Sequence, residues 1–298
     1  MPNLILNQRW NLLPEGYDDL CEKLRIYRSA RMELKCDKKI LTAWNGLMLM
    51  ALSKAARVFS DRRYLMAAQA LADFMGEKLL ENGNLKARLC DGELKFDAQL
   101  DDYAFYALGL LELYAADFEP EHIVRAKELA AHIISDFADG NGGYYRTAEY
   151  SEKLLFRPRE IFDSAMPSGN SAAATVFDLL FRYTGDILMR QHRDELLSLI
   201  CAHCGKYPAG CPWALCAVLS DVYPTRELLC VSPDEAVPEL LSAVTSRYSP
   251  ELTVILKSPR REKELAAIVP FSRDALCKDG KAAFYICENG ACREGLSL

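Results

Sequence analysis

The chain has 298 residues, half of them apolar, and a formal net charge of −6. That is ample for a core in one or two domains, and without a Lys/Arg run or basic stripe it excludes nucleic acid as the expected partner. No stretch approaches the ~18 uninterrupted apolar residues of a membrane span. The opening MPNLILNQRW lacks the basic and long apolar regions of a signal peptide, so a cytoplasmic protein is expected. The eleven Cys, scattered through apolar helices and strands, read as mostly reduced, buried thiols.

The first predicted element is a helix from about Tyr17 to Met32, with apolar positions at helical spacing. Three helical hairpins follow. Each opens on a small polar cluster, runs into an apolar helix and continues into a second helix. The first opens at Thr42-Ala43-Trp44-Asn45-Gly46, and its second helix spans about Arg62 to Leu80. The second opens at Gln99-Leu100-Asp101-Asp102-Tyr103, and its second helix spans about Pro120 to Phe137. The third opens at Pro167-Ser168-Gly169-Asn170-Ser171, and its second helix spans about Asp186 to Cys204. Recurrence at roughly 55–70 residues is the signature of repeated hairpins. A last helix, about Ala209 to Val222, reads as a fourth inner helix without a partner.

Two connections are long. Residues 81–98 read as a β-hairpin, with Asn82-Gly83 and Asp91-Gly92 as turn dipeptides. Residues 138–166 read the same way, with Asn141-Gly142-Gly143 at the turn. Both enter an inner helix beside a polar cluster, where long connections are more often functional than idle. After Pro224 strands alternate with helices: strands at 226–232, 253–258 and 282–289, helices at 234–247 and 261–269. This predicts a small parallel α/β unit. The expected division is 1–223 and 224–298. No Gly-rich fingerprint follows the first strand of the tail, so no nucleotide or other cofactor is expected.

Asn45, Asp101, Ser168 and Asn170 have an ordinary explanation as helix N-caps. Three equivalent clusters go beyond capping, which needs one residue each. Helix N-termini converging on one rim present free N–H groups and positive dipole ends. Trp44, Asn45, Asp101, Tyr103, Ser168 and Asn170 would then read a sugar or polyol, amides and carboxylates on its hydroxyls and aromatic faces on its ring. Upstream, Arg28, Arg31 and Asp37 precede the first cluster, and Arg157, Arg159, Glu160 and Asp163 precede the third. Surface ion pairing explains such groups equally well. The functional alternative has Arg157 or Arg159 orienting Asp163 or clamping an anionic group.

Paired carboxylates cleave glycosidic bonds, which makes Asp102 with Asp163 or Asp97 a candidate acid and base. The four His (His122, His132, His192 and His203) fall on second helices, away from this rim. That argues against a His-dependent epimerase. Cys201, His203, Cys204, Cys211 and Cys216 match no common zinc spacing, so no metal is expected. Cys287 and Cys292 have four intervening residues and so do not make the redox C-x-x-C motif.

The order D-x-K-x-L-T-x-W-N-G-L (Asp37–Leu47), D-D-Y-A (Asp101–Ala104), F-x-D-x-x-G-G-Y-Y-x-T (Phe137–Thr147) and R-P-R-E-x-x-D-x-A-x-P-S-G-N-S (Arg157–Ser171) resembles the YyaL-type family. These are thioredoxin-domain-containing proteins related to the spermatogenesis-associated thioredoxin-like protein of animals. The resemblance covers nearly the whole chain and implies a mainly α protein. Its fold would be an (α/α)6-toroid like those of six-hairpin glycosidases and N-acylglucosamine 2-epimerases. It implies a central cavity lined by Trp44, Asn45, Asp101, Asp102, Tyr103, Arg157, Asp163, Ser168 and Asn170. Ser164 stands where the family motif usually has Gly.

Members of that family begin with a thioredoxin-like domain and further hairpins. Neither is read in these 298 residues, where about eight helices are expected against the twelve of a closed toroid. The expectation is an incomplete toroid followed by the small α/β unit, with exposed apolar faces at both ends of the arc. A homo-oligomer, or a separate chain supplying the missing hairpins, would cover them. Two functions fit: a carbohydrate-active enzyme of glycosidase or sugar-isomerase type, intact or a remnant, and a non-catalytic binding or scaffold protein that completes its ring with a partner.

Overall fold

A computed structural model describes residues 15–31, 36–247, 249–288 and 291–295. The opening decapeptide lies outside them. Residues 1–38 and 39–298 form two compact units. In the first, helix α1 (Tyr17–Arg31) carries Asp18 and Asp19 in its first turn and Arg28 and Arg31 in its last. That charge order complements the helix dipole. None of its residues is buried.

The second unit begins with β1 (Ile40–Leu41) and α2 (Thr42–Phe59), then α3 (Arg62–Lys78). The strands β2 (Leu80–Glu81), β3 (Asn84–Cys90) and β4 (Glu93–Asp97) pair antiparallel, and β1 joins the other edge of β3. The turns between them use Asn82 and Gly83 (φ 53° and 84°) and Asp91 and Gly92 (φ 49° and 82°). Two successive left-handed residues make the type I′ turn whose twist matches a hairpin. The 81–98 hairpin is therefore formed as expected.

Helices α4 (Leu100–Asp117), α5 (Glu121–Phe137), α6 (Gly169–Thr184), α7 (Ile187–Cys204) and α8 (Pro212–Val222) complete the helical part. The order of packing is α2 on α4, α4 on α6 and α6 on α8. Helix α3 lies against α2, α5 against α4 and α6, and α7 against α6 and α8. The architecture is thus mainly α, an arc of an (α/α)6-toroid with four inner and three outer helices among the described residues. Helix α4 is buried along almost its whole length, as befits a helix with neighbours on most sides.

Segment 138–168 departs from the expected hairpin. It makes only isolated bridges, Ala138 with Tyr144 and Thr147 with Gln99. Side chains take the bonds that a ladder would use. The Asp139 carboxylate accepts from the N–H groups of Asn141 (2.7 Å) and Gly143 (3.0 Å). Such local bonding competes with strand formation.

The tail holds β5 (Arg226–Val231), α9 (Glu239–Thr245), β6 (Leu252–Lys257), α10 (Glu262–Ile268), β7 (Ala283–Glu288) and β8 (Ala291–Gly295), in sheet order β6-β5-β7-β8. Only β5 and β6 run parallel. The Lys278–Lys281 turn precedes β7, which pairs antiparallel to β5, so the sheet is mixed rather than parallel. Helix α9 is shorter than expected because Pro238 stands at its N-cap. Arg182 of α6 donates to the carbonyls of Pro250 (3.0 Å) and Glu251 (2.7 Å). Arg261 reaches Glu119 (2.7 Å).

The reading of the cysteines needs correction. Cys204 at the end of α7 and Cys211 at the start of α8 are disulfide-bonded, their Cα atoms 6.1 Å apart. Cys287 is also in a disulfide. Of the free cysteines among the described residues only Cys230 is buried. Cys90 and Cys277 are partly buried, and Cys21, Cys36, Cys201 and Cys216 are exposed.

Helices α2 and α4 meet through glycines. A Cβ on Gly46 would lie 2.6 Å from the Phe105 carbonyl carbon, and one on Gly109 would lie 2.9 Å from Gly46 O. Helix propensity alone would make Gly46→Ala stabilising by about 1 kcal/mol. Backbone obstructs the added methyl, so overpacking dominates and the expected outcome is a loss of about 1–3 kcal/mol. Urea denaturation checks the sign, and a gain in stability would refute the close approach.

Candidate functional site

The N-termini of the inner helices lie beside one another at the end of the arc that carries β1–β4 and the 138–168 segment. A Cβ on Gly169 would lie 3.1 Å from Asp101 N, so α4 and α6 begin almost in contact. Between them opens a small depression, lined by Leu100, Asp101, Arg146, Glu160, Gly169 and Asn170.

Asp101 and Asp102 are adjacent but face different surroundings. Asp102 is buried. Its Oδ1 accepts from Ala43 N–H of α2 and its Oδ2 from Gln99 N–H at the start of α4, both at 2.8 Å. Burial, and then the charge of Asp101, push its carboxyl up to about 7 despite those two amides. Asp101 lines the depression. Its Oδ1 is buried and meets no hydrogen-bond donor among the described residues. Burial raises the Asp101 carboxyl above the usual range, against the opposing charge of Arg146. Arg146 donates to Gln99 Oε1 (2.6 Å) and pairs with Glu160 (2.7 Å).

Asp163 is the other residue read as catalytic. Its Oδ1 accepts from Ser168 N–H and its Oδ2 from Trp213 N–H, each at 2.8 Å. It therefore joins the starts of α6 and α8. Ser168 caps α6 by accepting from Ser171 N–H (3.1 Å). Asn170 is engaged at both ends of its amide: Oδ1 accepts from Tyr144 N–H (3.0 Å), and Nδ2 donates to the carbonyls of Tyr144 (2.9 Å) and Glu160 (2.8 Å).

Arg157 donates to Thr147 O (2.6 Å) and stacks 4.3 Å over the Tyr145 ring. Arg159 pairs with Asp139. Both hold the 138–168 segment, and each uses its guanidinium there. The Tyr103 hydroxyl accepts from Leu85 N–H (3.1 Å) and meets Tyr150 OH (3.3 Å). Asn45 donates to Leu41 O (2.8 Å), while Trp44 is 61% exposed.

Of the ten residues chosen from sequence, Asp101 and Asn170 line the depression. Arg146 and Glu160, which complete it, were not chosen. Arg146 lies inside the F-x-D-x-x-G-G-Y-Y-x-T motif, and Glu160 inside R-P-R-E. Among the described residues no group of three or more His, Cys, Asp or Glu is placed to hold a metal ion. No helix of the described residues is long and apolar enough to cross a membrane.

Because its carboxyl is raised in the fold, Asp102 adds protonation-linked stability that is full below its unfolded pKa of about 3.9 and lost as pH rises to about 7. Asp102→Ala strands two buried N–H groups, at about 1–3 kcal/mol each. The variant's deficit should therefore be larger at pH 5 than at pH 8, narrowing by about 3 kcal/mol. Denaturant titrations at both pH values measure it, and a deficit that grows with pH would contradict the raised carboxyl.

No known protein-family profile matches the chain. Uncharacterized protein B0495.5 of Caenorhabditis elegans is 29% identical over 292 residues, which cover 94% of this chain and 39% of that protein. Spermatogenesis-associated protein 20 is 28% identical in both Rattus norvegicus and Homo sapiens, over 91% of this chain and 36% of the relative. The chain thus spans less than two-fifths of the curated relatives it matches. Among solved structures, cellobiose 2-epimerase from Bacillus thermoamylovorans B4167 aligns with a TM-score of 0.49 at 14% identity, covering 88% of this chain and 68% of that one. The cellobiose 2-epimerase of Spirochaeta thermophila DSM 6192 gives 0.47 at 19% identity over 56% and 44% of the two chains. An inactive variant of the α-1,6-mannanase of Salegentibacter sp. HEL1_6, in complex with α-1,6-mannotriose, gives 0.43 at 16% over 61% and 51%.

Proposed function

We propose that this chain forms one wall of a carbohydrate-binding cavity, with the depression between the starts of α4 and α6 as the place where sugar hydroxyls are read. The observation that carries the reading is the Asp101 carboxyl. It lines the depression beside the Arg146 guanidinium and the Glu160 carboxylate, a grouping of charged side chains that the fold itself does not need for capping. A hydroxyl-rich ligand suits the set: it can donate to Asp101 and Glu160 and accept from Arg146.

The candidate acid and base Asp102 and Asp163 bear differently on a hydrolytic reading. Each spends both carboxylate oxygens on backbone amides, which favours binding over hydrolysis through that pair. A carbohydrate-active reading is better served by Asp101, whose raised carboxyl suits it to donate a proton.

The proposal includes a second wall. Helix α2 leaves Trp44, Met48, Val58 and Phe59 exposed, and α8 leaves Leu219 and Val222 exposed. Faces of this kind are covered by a partner chain or a second copy. Residues up to 223 would carry the cavity wall, and residues 224–298 would be an α/β domain packed within the same compact unit.

A thermal-shift screen of mono- and disaccharides tests the ligand, since a compound that binds only the native state raises the midpoint. At least one should do so, and Asp101→Asn should weaken it about tenfold by loss of a hydrogen bond to a charged group. No shift with any sugar, or equal binding by the variant, would defeat the reading.

A further inference from the structure

The last turn of α7 reads Cys201-Ala202-His203-Cys204, a C-x-x-C segment that the candidate site does not use. Cys204 is bridged to Cys211, which stands at the N-cap of α8. Cys204 is 3% exposed and Cys211 is fully buried, so a thiol in solution has no direct approach to the bridge. Cys201 is free and exposed. Positions three apart on a helix share a face, with Cβ atoms about 5–6 Å apart. A small adjustment of a helix's last turn brings such a pair into disulfide range.

The bridge closes a loop that is tied to the inner-helix N-termini. The loop ends in a 3-10 turn, Pro208–Gly210. A Cβ on Gly210 would lie 2.6 Å from the Tyr207 ring and 2.8 Å from the Phe162 ring, so the backbone there is tightly enclosed. Gly210 O accepts from Asp163 N–H (2.7 Å). The Asp163 carboxylate in turn holds the N–H groups of Ser168 and Trp213. Three residues therefore connect the disulfide loop to the start of α6, where Gly169 and Asn170 line the depression.

We propose that Cys201, Cys204 and Cys211 form a thiol–disulfide exchange unit. Cys201 is the thiol through which a small-molecule thiol or dithiol gains access, and the pairing sets the order of the 205–211 loop and of the α6 start beside it. In the internal step the Cys201 thiolate attacks Cys204 Sγ. The Cys201–Cys204 bond forms as the Cys204–Cys211 bond breaks, and Cys211 leaves as the thiolate. Cys201 has given a proton to water and Cys211 takes one up, so nothing is oxidised or reduced overall. The new bridge lies at the surface. A dithiol then attacks it, passes through a mixed disulfide and closes on itself. The dithiol is oxidised by two electrons, and the protein gains two thiols.

Disulfide mapping on the full chain, with free thiols trapped by alkylation, tests the pairing across dithiothreitol and glutathione buffers. The parent should yield both the Cys204–Cys211 and the Cys201–Cys204 bridge. Cys201→Ser should slow reduction of Cys204–Cys211 roughly tenfold, because the accessible attacking thiol is gone. Cys216→Ser, on another exposed cysteine, should leave that rate unchanged. Hydrogen exchange should rise after reduction in both 205–213 and 163–171. The proposal falls if the parent yields only the Cys204–Cys211 bridge in every buffer, or if Cys201→Ser is reduced at the parent's rate. Unchanged exchange in 163–171 after reduction overturns the link to α6. None of these readouts depends on sugar binding.

Discussion

The Asp102 carboxylate is shared by two helix starts, one oxygen on Ala43 N–H of α2 and the other on Gln99 N–H of α4. Each of those amides belongs to a terminus whose donors have no partner in their own helix. One buried side chain thus satisfies two termini and sets the lateral spacing of α2 and α4 at the end where the depression lies. A short way along, Gly46 and Gly109 bring the two backbones into contact. The strut and the glycine contact reinforce each other, since larger side chains would push apart the ends that Asp102 joins. Asp163 repeats the device between α6 and α8, on Ser168 N–H and Trp213 N–H. The inner wall is therefore held by carboxylate bridges between helix starts, with the apolar core behind them.

That arrangement separates groups that build the wall from groups that face outward. Asn170, Ser168, Asp163 and Asp102 were attractive as ligand contacts because polar residues recur at each helix start. Their bonds are made within the protein, and a satisfied buried amide or carboxylate has little left to offer a ligand. Asp101 differs because it follows Leu100 and precedes Asp102 on one helical turn, which turns its side chain toward α6 and the depression. Its neighbour is also its electrostatic cost. The Asp101 charge is one of the reasons the Asp102 carboxyl sits near 7. Two adjacent carboxyls in so little water favour a state in which one carries a proton.

The helices were legible because periodicity and polar starts agree in every hairpin. The Asn-Gly and Asp-Gly turns were legible because few other dipeptides accept two left-handed residues in succession. What escaped the sequence is what depends on distant partners. Arg146 is fixed by Gln99 and Glu160, 47 and 14 residues away, and nothing local marks it as a site residue. Segment 138–166 looked like a hairpin because its glycines are real turns (Gly140 φ 75°, Gly142 φ 84°), but Asp139, Arg157 and Arg159 replace the ladder. The antiparallel entry of β7 and the Cys204–Cys211 bridge likewise depend on where a loop returns, which residue types alone do not encode.

The four inner helices are similar in composition but not in surroundings. Helices α4 and α6 each have an inner helix on both sides, and nearly every position on them is buried. Helices α2 and α8 have one inner neighbour each among the described residues. Trp44 and Met48, one turn apart on α2, are 61% and 53% exposed, and Leu219 and Val222 on α8 are 53% and 68% exposed. An amphipathic helix at the edge of a structure normally turns polar on its open side. These two keep the apolar faces of helices with neighbours on both sides, although each has a neighbour on one. Exposure at Trp44 therefore carries a different meaning from the single apolar residues common on any surface. It falls one turn from Met48 on the side of α2 that has no inner-helix neighbour among the described residues.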